Sequence, residues 1–359
     1  MKTGIITFHF VNNFGGALQA YALRRFVSER FGIEAELIDY RHWFIRLTDS
    51  ARMLPITPDP RFYGPWFRSF GKMRGRRRRF ADFMRREGRL SRPANSDSAL
   101  KKLAKDYRLL ICGSDQLWNP MLTCGLAKPY FLRFAPEGTR RISYAVSVGS
   151  VREKDRDRML GYVRDLDAAS IREPVDWLEK QAKIERHIDP TLLLEREAWD
   201  AIAVAPSKHE DYILTYFMQM NESAYRAVAD IKARTGCKVY DISRYGYKPD
   251  CVDECLVDLG PAEFVGLFRG AKRVCTNSFH GLVFSLIFDK PVDYVQMHRF
   301  GGRVEYLCQL LGIRRTEALG GAYYHMEYDP AGTDEILKRE RQRAHAYLER
   351  EIGRAHDQN

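Results

Sequence analysis

The segment Thr276-Asn277-Ser278-Phe279-His280-Gly281 gathers side chains that can handle protons and anions. An imidazole changes charge near neutral pH, so His280 can donate a proton or hold an oxyanion. The run Arg273-Val274-Cys275-Thr276 before it reads as a strand, and an apolar helix is expected from about Gly281 onward. The first turn of a helix offers unpaired N–H groups and positive potential, which suit a phosphate or carboxylate. Asn277 and Ser278 are the expected caps, and Phe279 and Gly281 would border the same anion site. The competing role for His280 is to cap or pack the turn.

A second segment, Cys112-Gly113-Ser114-Asp115-Gln116-Leu117-Trp118-Asn119-Pro120, follows the apolar run Leu109-Leu110-Ile111. Gly113 permits a tight turn that would bring Ser114 and Asp115 to a strand end. A carboxylate there can act as base towards a hydroxyl. Trp118 offers a flat face to a sugar ring, with Asn119 beside it; the alternative is a helix cap and a core tryptophan. Asn12-Asn13-Phe14-Gly15-Gly16 is turn chemistry in which Gly15 and Gly16 would let backbone approach a ligand, with Asn13 alongside. It is neither a dinucleotide fingerprint nor a P-loop. In Ser170-Ile171-Arg172-Glu173, Arg172 could clamp a carboxylate or phosphate through two parallel hydrogen bonds, or form an interdomain ion pair. His187-Ile188-Asp189-Pro190-Thr191 is mainly turn chemistry, and His298 reads as a loop residue for packing or solvent. Zinc-finger spacing, HExxH, a nucleophile elbow and an acidic metal pair are all absent. No metal and no cofactor are expected.

These segments need strands to carry them. Gly4-Ile5-Ile6-Thr7-Phe8 begins a β–loop–α unit, and strand patterns return near 34–40, 107–112, 141–146, 168–172, 212–216, 238–243, 273–276 and 291–295. Helical patterns separate them, notably at 17–30, 153–164, 174–183, 222–235 and 261–269. Strands alternating with helices predict an α/β protein with parallel, doubly wound sheets. A chain of 359 residues suits two such domains. The expected division is a Rossmann-like domain over 1–205, with an Arg-rich insertion at about 45–105. A second Rossmann-like domain follows over 206–330, and a C-terminal helix over 331–359. Domains facing one another would place a ligand cleft at the carboxyl ends of their strands.

The net charge of +11 is uneven: residues 61–92 hold eleven Arg and one Lys against Asp82 and Glu87. A solvated helical face, an anionic membrane and a phosphate-bearing substrate all fit such a run. The sequence has no recognisable nucleic-acid motif, so nucleic acid is the least expected partner. The seven cysteines are odd in number and scattered, which suggests reduced thiols. No apolar run reaches the length of a membrane span, and no secretory signal opens the chain. The expected location is therefore cytoplasmic.

Taken in order, the motifs at 12–21, 113–119, 143–149, 170–173, 189–191 and 276–281 resemble those of the polysaccharide pyruvyl transferase family. The resemblance spans roughly residues 4–295. It implies a fold like the two-domain B-type glycosyltransferases. It also implies transfer of a pyruvyl group from phosphoenolpyruvate to a sugar of a cell-surface polysaccharide or its lipid-linked precursor, giving a cyclic ketal. Members use a His matching His280, and some place an Arg two residues before it, where this chain has Ser278. The roles expected on this basis are proton donor or phosphate contact for His280, base for Asp115 and donor clamp for Arg172. Trp118 and Asn119 would contact the acceptor, making 1–205 the acceptor side and 206–330 the donor side. A lipid-linked acceptor would bring the enzyme to the inner membrane face, with Arg76, Arg77, Arg78 and Arg79 as the peripheral contact. The alternatives are a nucleotide-sugar glycosyltransferase of the same fold and a non-catalytic glycan- or membrane-binding protein.

Overall fold

The structure, a computed structural model, describes residues 1–51, 53–54, 59–206, 210–218, 221–296 and 302–357. His298, and Ser207 and Lys208 of the expected interdomain loop, lie outside the described residues. The chain forms two units. One comprises Met1–Ala51, Ala81–Leu194 and Lys338–Asn359; the other comprises Arg52–Phe80 and Glu195–Leu337. The division after the first domain thus falls at 194/195, where the sequence pattern suggested 205/206. The segments at 45–105 and 331–359 are each shared between the units.

Along the chain the elements are β1 (Lys2–Ile6), α1 (Phe14–Phe31), β2 (Glu34–Leu37), α2 (Trp43–Ala51), α3 (Tyr63–Glu87), α4 (Asp97–Ala104), β3 (Leu109–Cys112), β4 (Arg140–Ser143), α5 (Glu153–Arg164), β5 (Ala169–Ile171), α6 (Asp176–Glu179) and β6 (Ile184–Arg186). They continue with α7 (Arg196–Asp200), β7 (Tyr212–Tyr216), α8 (Glu222–Thr235), β8 (Lys238–Ile242), β9 (Glu254–Leu256), α9 (Pro261–Gly270), β10 (Arg273–Thr276), α10 (Phe279–Ile287), β11 (Val292–Tyr294), α11 (Gly302–Leu311), β12 (Arg314–Ala318), β13 (Tyr323–Glu327) and α12 (Pro330–His356).

In the first unit the parallel strands run in the order β2-β1-β3-β4. Bridges Ile142↔Ala168 and Val146↔Ile171 bring the parallel pair β5-β6 alongside β4. The register sets Ile5 beside both Leu37 and Ile111, and Ile111 beside Ile142. Unbroken apolar strands such as Leu-Leu-Ile-Cys suit a sheet covered on both faces, and β3 is buried throughout. The chain passes from β1 to β2 on one side, then returns to place β3 on the other. The sheet therefore has its switch point between β1 and β3.

In the second unit the order is β12-β13-β11-β10-β7-β8-β9. The strands from β9 to β11 are parallel, and β13 and β12 add an antiparallel edge. Here β7 leads to β8 and β9 on one side, and β10 lies on the other. The switch point is therefore between β7 and β10.

Helix α12 is tied to the first sheet by polar bonds as well as by packing. Tyr347 donates its hydroxyl to the Ser143 carbonyl at 2.8 Å. The Arg140 guanidinium donates to the carboxylate of Glu351, and both side chains are buried. Removing one member of such a pair leaves an uncompensated buried charge. Glu351→Ala should lower unfolding free energy by about 3–5 kcal/mol, read from urea denaturation. A loss below about 1 kcal/mol, the scale of an exposed pair, would show that this ion pair does not anchor α12.

Candidate active site

In the second unit, β10 ends at Thr276 beside β7 and β11. The Thr276 hydroxyl donates to the Tyr216 carbonyl at the end of β7. The same oxygen accepts the Ser278 N–H at 3.0 Å. The Asn277 side-chain oxygen accepts the Met218 N–H at 2.7 Å, so the loops leaving both switch-point strands are bonded together. Tyr294 donates its hydroxyl to the Asn277 carbonyl at 3.3 Å. The segment is thereby fixed before the helix begins.

Helix α10 starts at Phe279, two residues earlier than the sequence suggested, with Ser278 as its extended N-cap. The Ser278 carbonyl accepts the Leu282 N–H at 3.0 Å, while its side chain makes no capping bond. His280 therefore sits in the first helical turn, where the N–H groups of Phe279, His280 and Gly281 precede the first intrahelical bonds. Its ring is buried and meets Phe279 edge-on, with centroids 5.2 Å apart. Arg303 lies over the other ring of that pair, 5.9 Å from the Phe279 centroid. A Cβ at position 281 would overlap the Thr276 hydroxyl, so only glycine allows the helix to start this close to the strand. The arrangement offers backbone donors, a helix N-terminus and an imidazole at a switch point.

In the first unit, Ser114 and Asp115 follow β3 at the β1/β3 switch point. The Thr7 hydroxyl donates to the Ser114 carbonyl at 3.2 Å. Gln19 of α1 donates to the Thr7 oxygen at 2.8 Å and accepts the Ser114 N–H at 2.9 Å. Gly113 adopts φ 153, and any side chain there would run into the Tyr144 carbonyl. Asp115 has φ 69, a left-handed conformation uncommon for a non-glycine residue. Its carbonyl accepts N–H groups from Leu117 at 2.8 Å and Ser147 at 2.9 Å. One carboxylate oxygen lies 3.5 Å from where a Gly16 side chain would begin, beside the first turn of α1.

Several residues expected to touch substrate are occupied in holding the fold. Trp118 is buried, stacks on Phe131 at 5.2 Å and donates its N–H to the Tyr130 carbonyl at 2.9 Å. It is a core residue and offers no face to a sugar. Asn119 is buried, donates to the Gln116 side chain and accepts the Met121 N–H. Ser114 is fully buried and donates its hydroxyl to the Ala145 carbonyl. Asn13 caps α1 by accepting the Gly16 N–H at 3.2 Å, and Gly15 and Gly16 are already helical. Arg172 is buried and donates to the buried carboxylate of Asp189 within its own unit. Burial opposes its charge, but Asp189, Glu173 and Asp115 outweigh that and raise its pKa. This ion pair lies within one unit, in place of the expected interdomain pair.

The Arg cluster is likewise divided. Arg79 donates to Asp258 at 3.1 Å and to Glu263 at 2.7 Å, and Arg76 donates to the Ser243 carbonyl at 3.3 Å. Both therefore hold α3 to the second unit, and Arg76 and Arg79 do not form the expected membrane contact.

The sequence reading passed over two polar groups near these strand ends. His9 is buried with its Nε2 3.1 Å from Asp39, and Arg41 also donates to that carboxylate at 2.7 Å. Burial opposes ionisation of Asp39, but the bonds from His9 and Arg41 bring its pKa down to about 2. The His9 and Asp39 partners are thirty positions apart, so no local pattern marks them. In the second unit Asp241 is buried on β8, paired in register with Thr215 of β7. Thr215 donates to it at 2.6 Å, yet burial lifts its pKa to about 6. The plain strand pattern at 238–243 concealed it. Among the described residues, no group of three His, Cys, Asp or Glu side chains is placed to hold a metal ion.

A family model described as polysaccharide pyruvyl transferase matches residues 13–292. No curated protein matches the chain. A putative UDP-N-acetylglucosamine 2-epimerase from Listeria monocytogenes is similar in structure at TM-score 0.50 and 9% identity, covering 94% of this chain and 86% of that one. The S. aureus MnaA–UDP co-structure gives TM-score 0.49 at 11% identity, covering 94% and 87%. The UDP-GlcNAc 2-epimerase from Neisseria meningitidis bound to UDP-GlcNAc gives 0.48 at 10%, covering 98% and 94%. At such identities the likeness is one of fold. The fold is α/β, Rossmann-like in both units and of the B-type glycosyltransferase class.

Asp241 supplies a pH-dependent test of the second unit's interior. Its folded pKa of about 6 lies above its ordinary value of 3.8. Its stabilising share is therefore complete below about pH 4 and is lost as pH rises through about 6. Asp241→Asn keeps an acceptor for Thr215 without the charge. The variant should be more stable than the parent by roughly 1–3 kcal/mol at pH 7.5, with little difference at pH 4. Paired denaturation curves at the two pH values test this, and an equal effect at both would contradict it.

Proposed function

The chain belongs to the polysaccharide pyruvyl transferase family, a transferase family, and on that footing we propose that its donor is phosphoenolpyruvate and its product a cyclic pyruvate ketal on a glycan. The acceptor is a sugar of a cell-surface polysaccharide or its lipid-linked precursor. The observation that supports this most is His280 in the first turn of α10, at the β7/β10 switch point. A small dianionic or trianionic donor suits backbone N–H groups and a helix N-terminus better than a neutral ligand does.

The chemistry proceeds by addition and then substitution at one carbon. A proton goes to the methylene carbon of phosphoenolpyruvate, which becomes a methyl group. The neighbouring carbon gains oxocarbenium character, and a sugar hydroxyl oxygen bonds to it while losing its proton. A second hydroxyl of the same sugar then bonds to that carbon as its proton passes to the departing phosphate, the carbon–oxygen bond to phosphate breaks, and inorganic phosphate leaves. His280 is the proton donor or the phosphate contact. The N–H groups of Phe279, His280 and Gly281 face the charge that builds on the departing phosphate. On the first unit, Asp115 is the candidate base for an acceptor hydroxyl. Arg172, held by Asp189 and Glu173, is the candidate clamp for the donor anion. Ser278 contributes an N-cap backbone where a cation would add charge, so the donor relies on backbone donors more heavily here.

The expected outcome is phosphate release from phosphoenolpyruvate that depends on a glycan acceptor. Replacing His280 with Ala should reduce it about 10²–10⁴-fold, the usual worth of a positioned proton donor. Phosphoenolpyruvate should also raise the melting temperature more than sugar nucleotides do. Full activity in His280→Ala would overturn the residue assignment. Stabilisation and turnover by a sugar nucleotide in place of phosphoenolpyruvate would instead point to glycosyl transfer.

A further inference from the structure

Most of the large hydrophobic side chains that remain exposed lie close together in sequence: Trp43, Leu47, Leu54, Tyr63, Phe67 and Phe70. The last three belong to α3, where Phe67 is 77% exposed. Tyr63, Phe67, Phe70, Arg74 and Arg78 follow one another at spacings of four, three, four and four residues. That spacing keeps them on one side of a helix. Arg74 extends over the Phe70 ring, 6.0 Å from its centroid. Arg68 and Lys72 are exposed too, but their spacing puts them on the side of Gly75 and Arg79. Among the described residues, no carboxylate forms an ion pair with Arg68, Lys72, Arg74 or Arg78.

The other side of α3 is mounted on protein. Met73 and Phe80 are buried, and Gly75 lies close against the Asp258 carboxylate. Arg79 bonds to Asp258 and Glu263. The helix is thus held in shape before any partner arrives, and its outward side combines aromatic rings with unneutralised cations.

We infer that this outward face of α3 seats on an anionic bilayer. Phe67 and Phe70 enter the boundary between headgroups and acyl chains, as the apolar face of an interfacial helix does. Tyr63 stays at headgroup level, and Arg74 and Arg78 meet the lipid phosphates. A bilayer complements the charge, whereas the same face of a second copy would bring like charges together. The contact residues differ from those a count of arginines would choose, because Arg76 and Arg79 are turned to the protein. The inference does not depend on the donor chemistry.

Cosedimentation of the full chain with vesicles tests it. Vesicles of phosphatidylglycerol and phosphatidylcholine should bind the protein, and phosphatidylcholine alone should not. Binding should weaken as salt rises. The pair Arg74→Gln with Arg78→Gln should weaken binding about thirtyfold, roughly fivefold for each cation near an anionic surface. Phe67→Ser with Phe70→Ser should weaken it at least about tenfold, since both rings leave the boundary region. The charge-matched pair Arg314→Gln with Arg339→Gln, on residues exposed outside α3, should change it less than about threefold. Melting temperatures near that of the parent confirm that each variant is folded. Equal losses from both arginine pairs would overturn the inference in favour of general charge attraction. Absent binding to anionic vesicles would also overturn it. So would a parent dimer in sedimentation that Phe67→Ser dissolves, which would make the face a contact between copies.

Discussion

Both units depend on a threonine hydroxyl that crosslinks the strands at a switch point. In the second unit Thr276 donates to the carbonyl that ends β7. In the first, Thr7 donates to the carbonyl of Ser114, just beyond β3. Parallel strands end with carbonyl groups directed out of the ladder, and at a switch point the neighbouring loops turn apart. The backbone groups there lose their sheet partners and must find others. A short hydroxyl at the end of one strand supplies the missing bond without filling the crevice. Each threonine then accepts a further bond, from the Ser278 N–H in one unit and from Gln19 in the other. A longer side chain would block the place where Gly281 passes over Thr276. The close approach of strand β10 and the first turn of α10 therefore follows from the size of two residues.

The two sites differ in how they treat charge. Around Asp115 the first unit carries a buried network in which Arg172 serves Asp189, and the Glu173 carboxylate accepts from the Ser147 hydroxyl and the Val148 N–H. Arg172 and Asp189 are both buried, so removing either leaves an uncompensated buried charge. At the second unit's switch point the first turn of α10 brings backbone N–H groups and one imidazole together. Preorganised dipoles of this kind need no counterion when the site is empty and little reorganisation when an anion arrives.

Much of this was legible in the sequence because local patterns set it. Strand 273–276 and helices 153–164 and 222–235 emerge with the bounds that periodicity suggested. The position of His280 after an apolar strand was enough to place it at a helix start. The β12–β13 hairpin was not legible: Arg-Arg-Thr-Glu-Ala is an exposed edge strand with no apolar alternation. The burial of Trp118, Asn119 and Arg172 was not legible for a different reason. A side chain next to a turn can point to solvent or to the core with the same neighbours in sequence. What turned Trp118 inward is Tyr130 and Phe131, which a local window does not connect to it. The His9–Asp39 and Thr215–Asp241 pairs were hidden likewise, because each joins adjacent strands.

Helix α3 shows the same limit in a single element. Arg74, Arg76, Arg78 and Arg79 stand within six positions, and as composition they are equivalent. At 3.6 residues per turn they radiate in different directions. Arg76 reaches the Ser243 carbonyl and Arg79 reaches two carboxylates, while Arg74 lies along an exposed phenylalanine. Net charge therefore overstates what a surface can offer a partner, because part of it is already spent on acids of the same unit. What remains outward is set by angle, and on α3 the outward angle also carries the aromatic rings. Cation and ring together favour an interface that is anionic at the surface and apolar just beneath it, and neither feature alone would make that distinction.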